Sequence, residues 1–188
     1  MLARMNIAAE ALPAPTSGAV EAVTLDEFLS AVAARAFRFA ETGLRHREDA
    51  RDAVQDAMTK MLAYRDKPAA EWTPLFWSVL RSRIVDAQRR SLLRLRWLSP
   101  HPDAEETVEW ADTGADPSRR QEGQEAWSRI VTGLRRLPRR QREAFSLRIF
   151  EDLDVATTAL VMGCSEGAVK THLSRAREAL QKHLEDFR

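Results

Sequence analysis

Three features of the 188-residue sequence predict an all-α protein made of two small helical modules joined by an acidic flexible linker, the second ending in a helix-turn-helix. Apolar residues recur at helical spacing along every long segment, and no run alternates as a half-buried strand would. From Ser99 to Ser118 there are six acids and no Lys or Arg, with Pro100, Pro102, Gly114 and Pro117 interrupting any regular element. Asp154 to Leu184 carries paired start and stop signals for two helices joined by a tight turn. The predicted organisation is a disordered leader over 1–22, a helical module over 23–98, the linker over 99–123 and a second module over 124–188.

Thr24 and Glu27 form a capping-box pattern that opens a helix with Phe28, Val32, Ala36 and Phe39 inward. The next helix runs from about Glu48 to Tyr64, with Ala50, Ala53, Val54, Ala57, Met58, Met61 and Leu62 as its stripe. Its polar side presents Asp52, Gln55, Asp56 and Lys60. Thr73 and Pro74 read as N-cap and first residue of a third helix with Leu75, Phe76, Val79, Leu80 and Ala87 inward. The second half of that helix is basic, with Arg81, Arg83, Arg89, Arg90, Arg94 and Arg96 against Asp86. Arginines interleaved with apolar and aromatic residues suit contact with nucleic-acid phosphates, although Trp72 and Trp77 fit a core better than a stacking platform.

The second module opens with a helix holding Trp127, Ile130, Val131, Leu134 and Leu137. Pro138 restarts the chain at a first helical position, and the following helix brings Phe145, Leu147 and Phe150 inward. Seven arginines and one Glu lie between Arg129 and Arg148, a second basic patch. Asp154 then caps a short helix with Val155, Ala159, Leu160 and Met162 on its apolar side, Gly163 supplies a left-handed C-cap, and Ser165 caps the last helix. Ala168, Val169, Leu173, Ala176, Leu180 and Leu184 form that helix's stripe. Lys170, Thr171, Ser174, Arg175 and Arg177 lie on its other side, mixing short hydrogen-bonding groups with cations as a helix in a DNA major groove requires.

Composition narrows the function further. A single cysteine rules out an intrachain disulfide framework. Cys164 in the turn reads as a small apolar plug. No run approaches the roughly 20 apolar residues of a membrane span, and the first residues make a poor signal peptide, so the expectation is a cytoplasmic protein without membrane insertion. Phosphate-cradling glycine loops, nucleophile elbows and Cys-x-x-Cys pairs are absent, and His46, His101, His172 and His183 have no ligand spacing. Carboxylates such as Asp103, Glu105 and Glu106 sit in the linker, which cannot hold acid–base geometry. No enzyme activity, cofactor or metal is expected.

Two blocks, REDARDAVQDAMTKMLAY with PLFWSVLRSRIVDAQRR, and LPRRQREAFSLRIFEDLDVATTALVMGCSEGAVKTHLSRAREAL, resemble regions two and four of the sigma-70 family of bacterial transcription initiation factors. The closer resemblance is to the extracytoplasmic-function group. It implies an alternative sigma factor that binds core RNA polymerase and directs initiation at promoters with −10 and −35 elements. Asp52, Gln55 and Asp56 match the acidic motif that meets the beta-prime clamp helices, and region four would also touch the beta flap. The recognition helix for the −35 element carries over to Lys170, Thr171, His172, Ser174 and Arg175, and the −10 region to Arg81, Arg83, Arg89 and Arg90. The loop Asp66 to Trp72 falls where a flipped −10 base would be captured. Promoter DNA, core polymerase and an anti-sigma protein are the implied partners. Three positions depart from the pattern: Arg51 replaces an acid, Thr157 replaces a capping Glu and so weakens its helix, and His172 replaces an Arg. The alternative is a helix-turn-helix regulator that binds DNA without joining polymerase; a helical scaffold without a DNA role leaves both arginine patches unexplained.

Overall fold

In the computed structural model the described residues are 24–97 and 117–185, with side chains described for 24–91 and 123–182. All their regular elements are helical. α1 (Leu25–Gly43) starts at the expected capping box: Glu27 N–H donates to Thr24 Oγ1 at 3.2 Å, and Thr24 N–H donates to Glu27 Oε2 at 2.9 Å. Its last residue must be small. A Cβ on Gly43 would lie 2.8 Å from Ile84 Cγ2, and Gln88 Nε2 donates to the Gly43 carbonyl at 2.8 Å.

α2 (Arg47–Met61) buries Ala50, Ala53, Val54, Ala57 and Met61. The chain then tightens into a 3₁₀ turn over Leu62–Tyr64. Three residues per turn instead of 3.6 rotate Leu62 off the apolar stripe expected for it, and it is 49% exposed. α3 (Ala69–Trp97) begins before the expected Thr73–Pro74 start and carries Pro74 inside it. The earlier start is held by the Glu71 N–H to the Pro68 carbonyl at 2.9 Å and by Lys67 Nζ to Glu71 Oε2 at 2.7 Å. Trp72 is drawn into the core against Phe28, with ring centroids 5.9 Å apart. Near the helix start, the one backbone bond that proline forfeits is outweighed by this packing.

α4 (Pro117–Arg135) starts inside the stretch expected to be linker; residues 99–116 of that stretch and the leader over 1–22 lie outside the described residues. α5 (Arg139–Phe145) has Pro138 as its N-cap rather than its first helical residue. The helix then widens into a π turn over Ser146–Phe150, closed by Glu151 N–H to the Ser146 carbonyl at 3.2 Å. Asp152 follows in a left-handed conformation, φ 49°. The wide turn and that residue swing the chain into α6 (Val155–Met162), which leads through Gly163 to α7 (Glu166–Glu185).

The halves share one core. Residues of α1 to α3, among them Phe39, Phe76, Trp77, Leu80 and Ile84, cluster continuously with Ala144, Leu147, Leu153, Val161, Met162 and Val169 of the second half. α6 packs on α3, and α4 on α1. A smaller cluster of Leu134, Leu137 and Ala176, with Phe145, Phe150 and Leu180 against it, fixes α4 and α5 to α7.

Candidate nucleic-acid interface

The turn between α6 and α7 sets the angle of the last helix. Asp154 Oδ1 accepts the Thr157 N–H at 2.7 Å, and its Oδ2 accepts the Thr157 hydroxyl at 3.1 Å. Thr157 therefore strengthens this cap, contrary to the weakening expected of it. The donated N–H holds the Asp154 carboxyl below the usual carboxylate range. Gly163 takes φ 61°, ψ 50°, the left-handed geometry its position requires, and Ser165 Oγ accepts the Ala168 N–H at 3.2 Å. Arg140 Nη1 donates to the Met162 carbonyl at 2.6 Å, tying α5 to the end of α6. Cys164 is half-buried against the main core.

On α7, Val169 and Ala176 are buried, whereas Lys170, Thr171, Ser174 and Arg175 are exposed. His172 is half-buried and its Nδ1 has no hydrogen-bond partner. The Thr171 hydroxyl donates back to the Gly167 carbonyl at 2.9 Å. Arg175 forms no ion pair among the described residues, so its planar fork is open to a guanine edge or a phosphate.

The basic side of α3 divides. Arg89 and Arg90 are exposed, and Arg83 is half-buried. Arg89 approaches Asp86 at 3.7 Å, a surface pair of small consequence. Arg81 is engaged: its Nε donates to Glu143 Oε2 at 3.0 Å, across the contact between halves. Arg139 and Arg140 also lie 3.8 Å from the Glu143 carboxylate. A second pair crosses nearby, Arg35 Nε to Glu151 Oε2 at 2.8 Å, with Arg35 Nη2 on the Glu151 carbonyl at 3.1 Å. Burial pushes the Glu151 carboxyl up to about 7, outweighing the pull of Arg35 and Arg38. These acceptors escape a reading of the sequence because partners 62 and 116 residues apart leave no local pattern.

A different face belongs to α2. Asp52, Gln55 and Asp56 are all exposed and lie opposite the buried Ala50, Ala53, Val54 and Ala57. Arg51 is held by Glu48 at 2.8 Å, within the helix. The acidic side is open to a partner. The loop expected to capture a flipped base is partly taken up by α3, with Trp72 buried and Asp66 and Lys67 exposed.

Residues 128–180 match the family described as Sigma-70, region 4. The chain is 34% identical over 149 residues to the ECF RNA polymerase sigma factor SigM of Mycobacterium tuberculosis, covering 78% of this chain and 70% of that one. It is 29% identical over 147 residues to the RNA polymerase sigma-H factor of Pseudomonas aeruginosa, covering 73% and 74%. Among solved structures, the sigma factor RpoE in complex with the anti-sigma factor NepR from Bartonella quintana superposes with a TM-score of 0.61 at 23% identity, over 87% of this chain and 99% of that one. CnrH in complex with the cytosolic domain of CnrY gives 0.62 at 17% identity, over 86% and 88%. Among the described residues, no helix is long and apolar enough to cross a membrane.

Proposed function

The chain belongs to the extracytoplasmic-function group of RNA polymerase sigma factors, and from that membership we propose that it works as an alternative sigma factor, joining core RNA polymerase and directing it to promoters through their −10 and −35 elements. The observation that carries this reading is the likeness to SigM across both halves, which a regulator sharing only the last 60 or so residues would lack. In it, Asp52, Gln55 and Asp56 meet the beta-prime clamp helices from the open side of α2. Lys170, Thr171, Ser174 and Arg175 face the −35 duplex, with the beta flap close to the same half, and Arg83, Arg89 and Arg90 supply charge along the −10 region. The factor adds no catalysis of its own and acts in the cytoplasm. The complexed state of the similar RpoE supports an anti-sigma protein as a further partner.

Holoenzyme assembly tests the reading. Asp52→Lys reverses charge on an exposed position away from the core, so helicity by circular dichroism should stay at the wild-type value while core binding is lost. Assembly of the variant at the wild-type concentration would remove α2 from the polymerase interface. Failure of the wild-type chain to assemble with core and support run-off transcription would remove the reading itself.

A further inference from the structure

We infer that the cleft where α3 and α5 pass the end of α1 is an anion site, shaped to take one phosphate-sized oxyanion between Arg81, Arg139 and Arg142. The promoter reading neither requires nor supplies it. The cleft has an empty volume of about 260 Å³, counted with its mouth, and its polar lining is Thr42 of α1, Arg81 and Gln88 of α3, and Arg139, Arg142 and Glu143 of α5. Three guanidinium groups against one carboxylate leave positive charge in excess on its walls. Glu143 does not serve all three. Arg81 Nε donates to its Oε2 at 3.0 Å, whereas Arg139 Nε stands 3.8 Å from its Oε1, beyond hydrogen-bonding distance. Arg142 forms no ion pair among the described residues, and its one hydrogen bond there, from Nη1 to the Arg135 carbonyl, is long at 3.4 Å.

Burial pulls the Arg142 guanidinium below its ordinary range; Glu143 opposes that pull, and the neighbouring Arg135 and Arg139 add to it. A half-buried cation crowded by like charges lacks the counter-charge that such groups normally keep. The carbonyls nearby that would repel an anion are covered, Phe39 by the Thr42 hydroxyl at 2.7 Å and Gly43 by Gln88 Nε2 at 2.8 Å. Each guanidinium has five donors in a planar fork, so all three keep donors after Glu143 is served, and pairs of these match two oxygens of one phosphate. Glu143 weakens such binding without cancelling it, because it neutralises one cation of the three. The space falls below the roughly 300 Å³ at which pockets begin to enclose a whole small molecule, so it suits a free oxyanion rather than a nucleotide. Arg139 is 39% exposed against 17% for Arg81, and the ion enters from the Arg139 side.

Thermal unfolding of the full chain at constant ionic strength tests the site. Replacing chloride by phosphate, up to about 50 mM, should raise the midpoint by about 3–6 °C. Phosphate also favours folding in general through its exclusion from protein surfaces, so the variants carry the decision. The rise should shrink to about half or less in Arg142→Gln and in Arg139→Gln. Arg65→Gln, at an exposed position outside the cleft, should keep the wild-type response. An equal rise in wild type and both cleft variants would overturn the site. Should both variants fail to fold, the phosphorus resonance of inorganic phosphate decides the matter on the wild-type chain. Saturable broadening that excess sulfate reverses supports the site, and its absence overturns it. A mixed-sequence duplex separates the two sources of phosphate. Duplex affinity should agree within about twofold between wild type and Arg142→Gln; a loss of about tenfold in the variant would assign the cleft to nucleic-acid backbone and overturn the free ion.

Discussion

Lys170 and Arg175 are both exposed on α7, and neither is needed by the core beneath them. Their head groups differ in what they can recognise. An ammonium is a point charge suited to phosphate, whereas a guanidinium offers the planar pair of donors that matches guanine O6 and N7. Arg175→Ala should cost about 1–3 kcal/mol on the preferred −35 sequence and relax the choice of base at one position. Lys170→Ala should weaken all sequences about equally. Binding-site selection on both variants measures this, and an unchanged base preference in Arg175→Ala would pass the reading to Thr171 or Ser174. The sequence brought these residues to one side because helical period alone places them there. It could not foresee that His172 sinks half into the surface. Nor could it separate Arg81 from Arg89 and Arg90, since its partner Glu143 arrives from a distant helix and only tertiary packing brings the two together.

At the scale of elements, the start of α1 and the α6–α7 turn were legible because caps are local. Thr24, Asp154, Gly163 and Ser165 each do what their side chain or its absence dictates within three or four residues. Misreadings arose where packing overrides local preference. Pro74 is carried inside α3 because Trp72 gains a core site. Leu160 reads as inward from its apolarity, yet it is 67% exposed. The inward side of α6 runs through Thr158, Ala159 and Met162, and the Thr158 hydroxyl is satisfied by the Asp154 carbonyl at 2.7 Å, which lets a polar residue be buried. The π turn has no sequence signature at all. Gly163 offers a clean test of the turn, because a Cβ there would meet nothing within 4 Å and only the backbone would object. Gly163→Ala should lower stability by about 1–2 kcal/mol, read as a lower urea midpoint at constant slope. Gly163→Asn should lose less, since Asn tolerates the left-handed region. Equal losses would mean the turn relaxes to another geometry.

For the whole molecule, the position of Glu151 makes the stability of the packed fold depend on pH. Its carboxyl is shifted from an ordinary 4.5 to about 7 by burial, against the attraction of Arg35 and Arg38 of α1. The folded chain therefore holds more protons than the unfolded chain between those two values. Stability falls with rising pH wherever the native form binds more protons, so this group's contribution to stability is fully present below about 4.5 and is lost as pH rises through about 7. The urea midpoint should be lower at pH 8 than at pH 6, and Glu151→Gln should flatten that dependence. The opposite slope, or one unaffected by the substitution, would assign the titration to another group. The all-helical class was evident from periodicity, but the joining of two halves through one core was not. Apolar stripes say that each helix must be covered, and they do not say by which neighbour.

Trp127 gives the packing of α4 on α1 its own optical signal. Its indole stands in three contacts at once: the hydrogen bond to Glu41, the Arg38 guanidinium 6.0 Å from its ring centroid, and the edge-on ring of Phe150 at 5.5 Å. Two of these come from α1, so any loosening of the α1–α4 contact transfers the ring from fixed charges and dipoles to water. Trp72 and Trp77 stay sealed within the first half and supply a steady background. The emission difference between wild type and Trp127→Phe therefore isolates one chromophore. It lets the integrity of the α1–α4 contact be followed in real time, without any label attached to the protein.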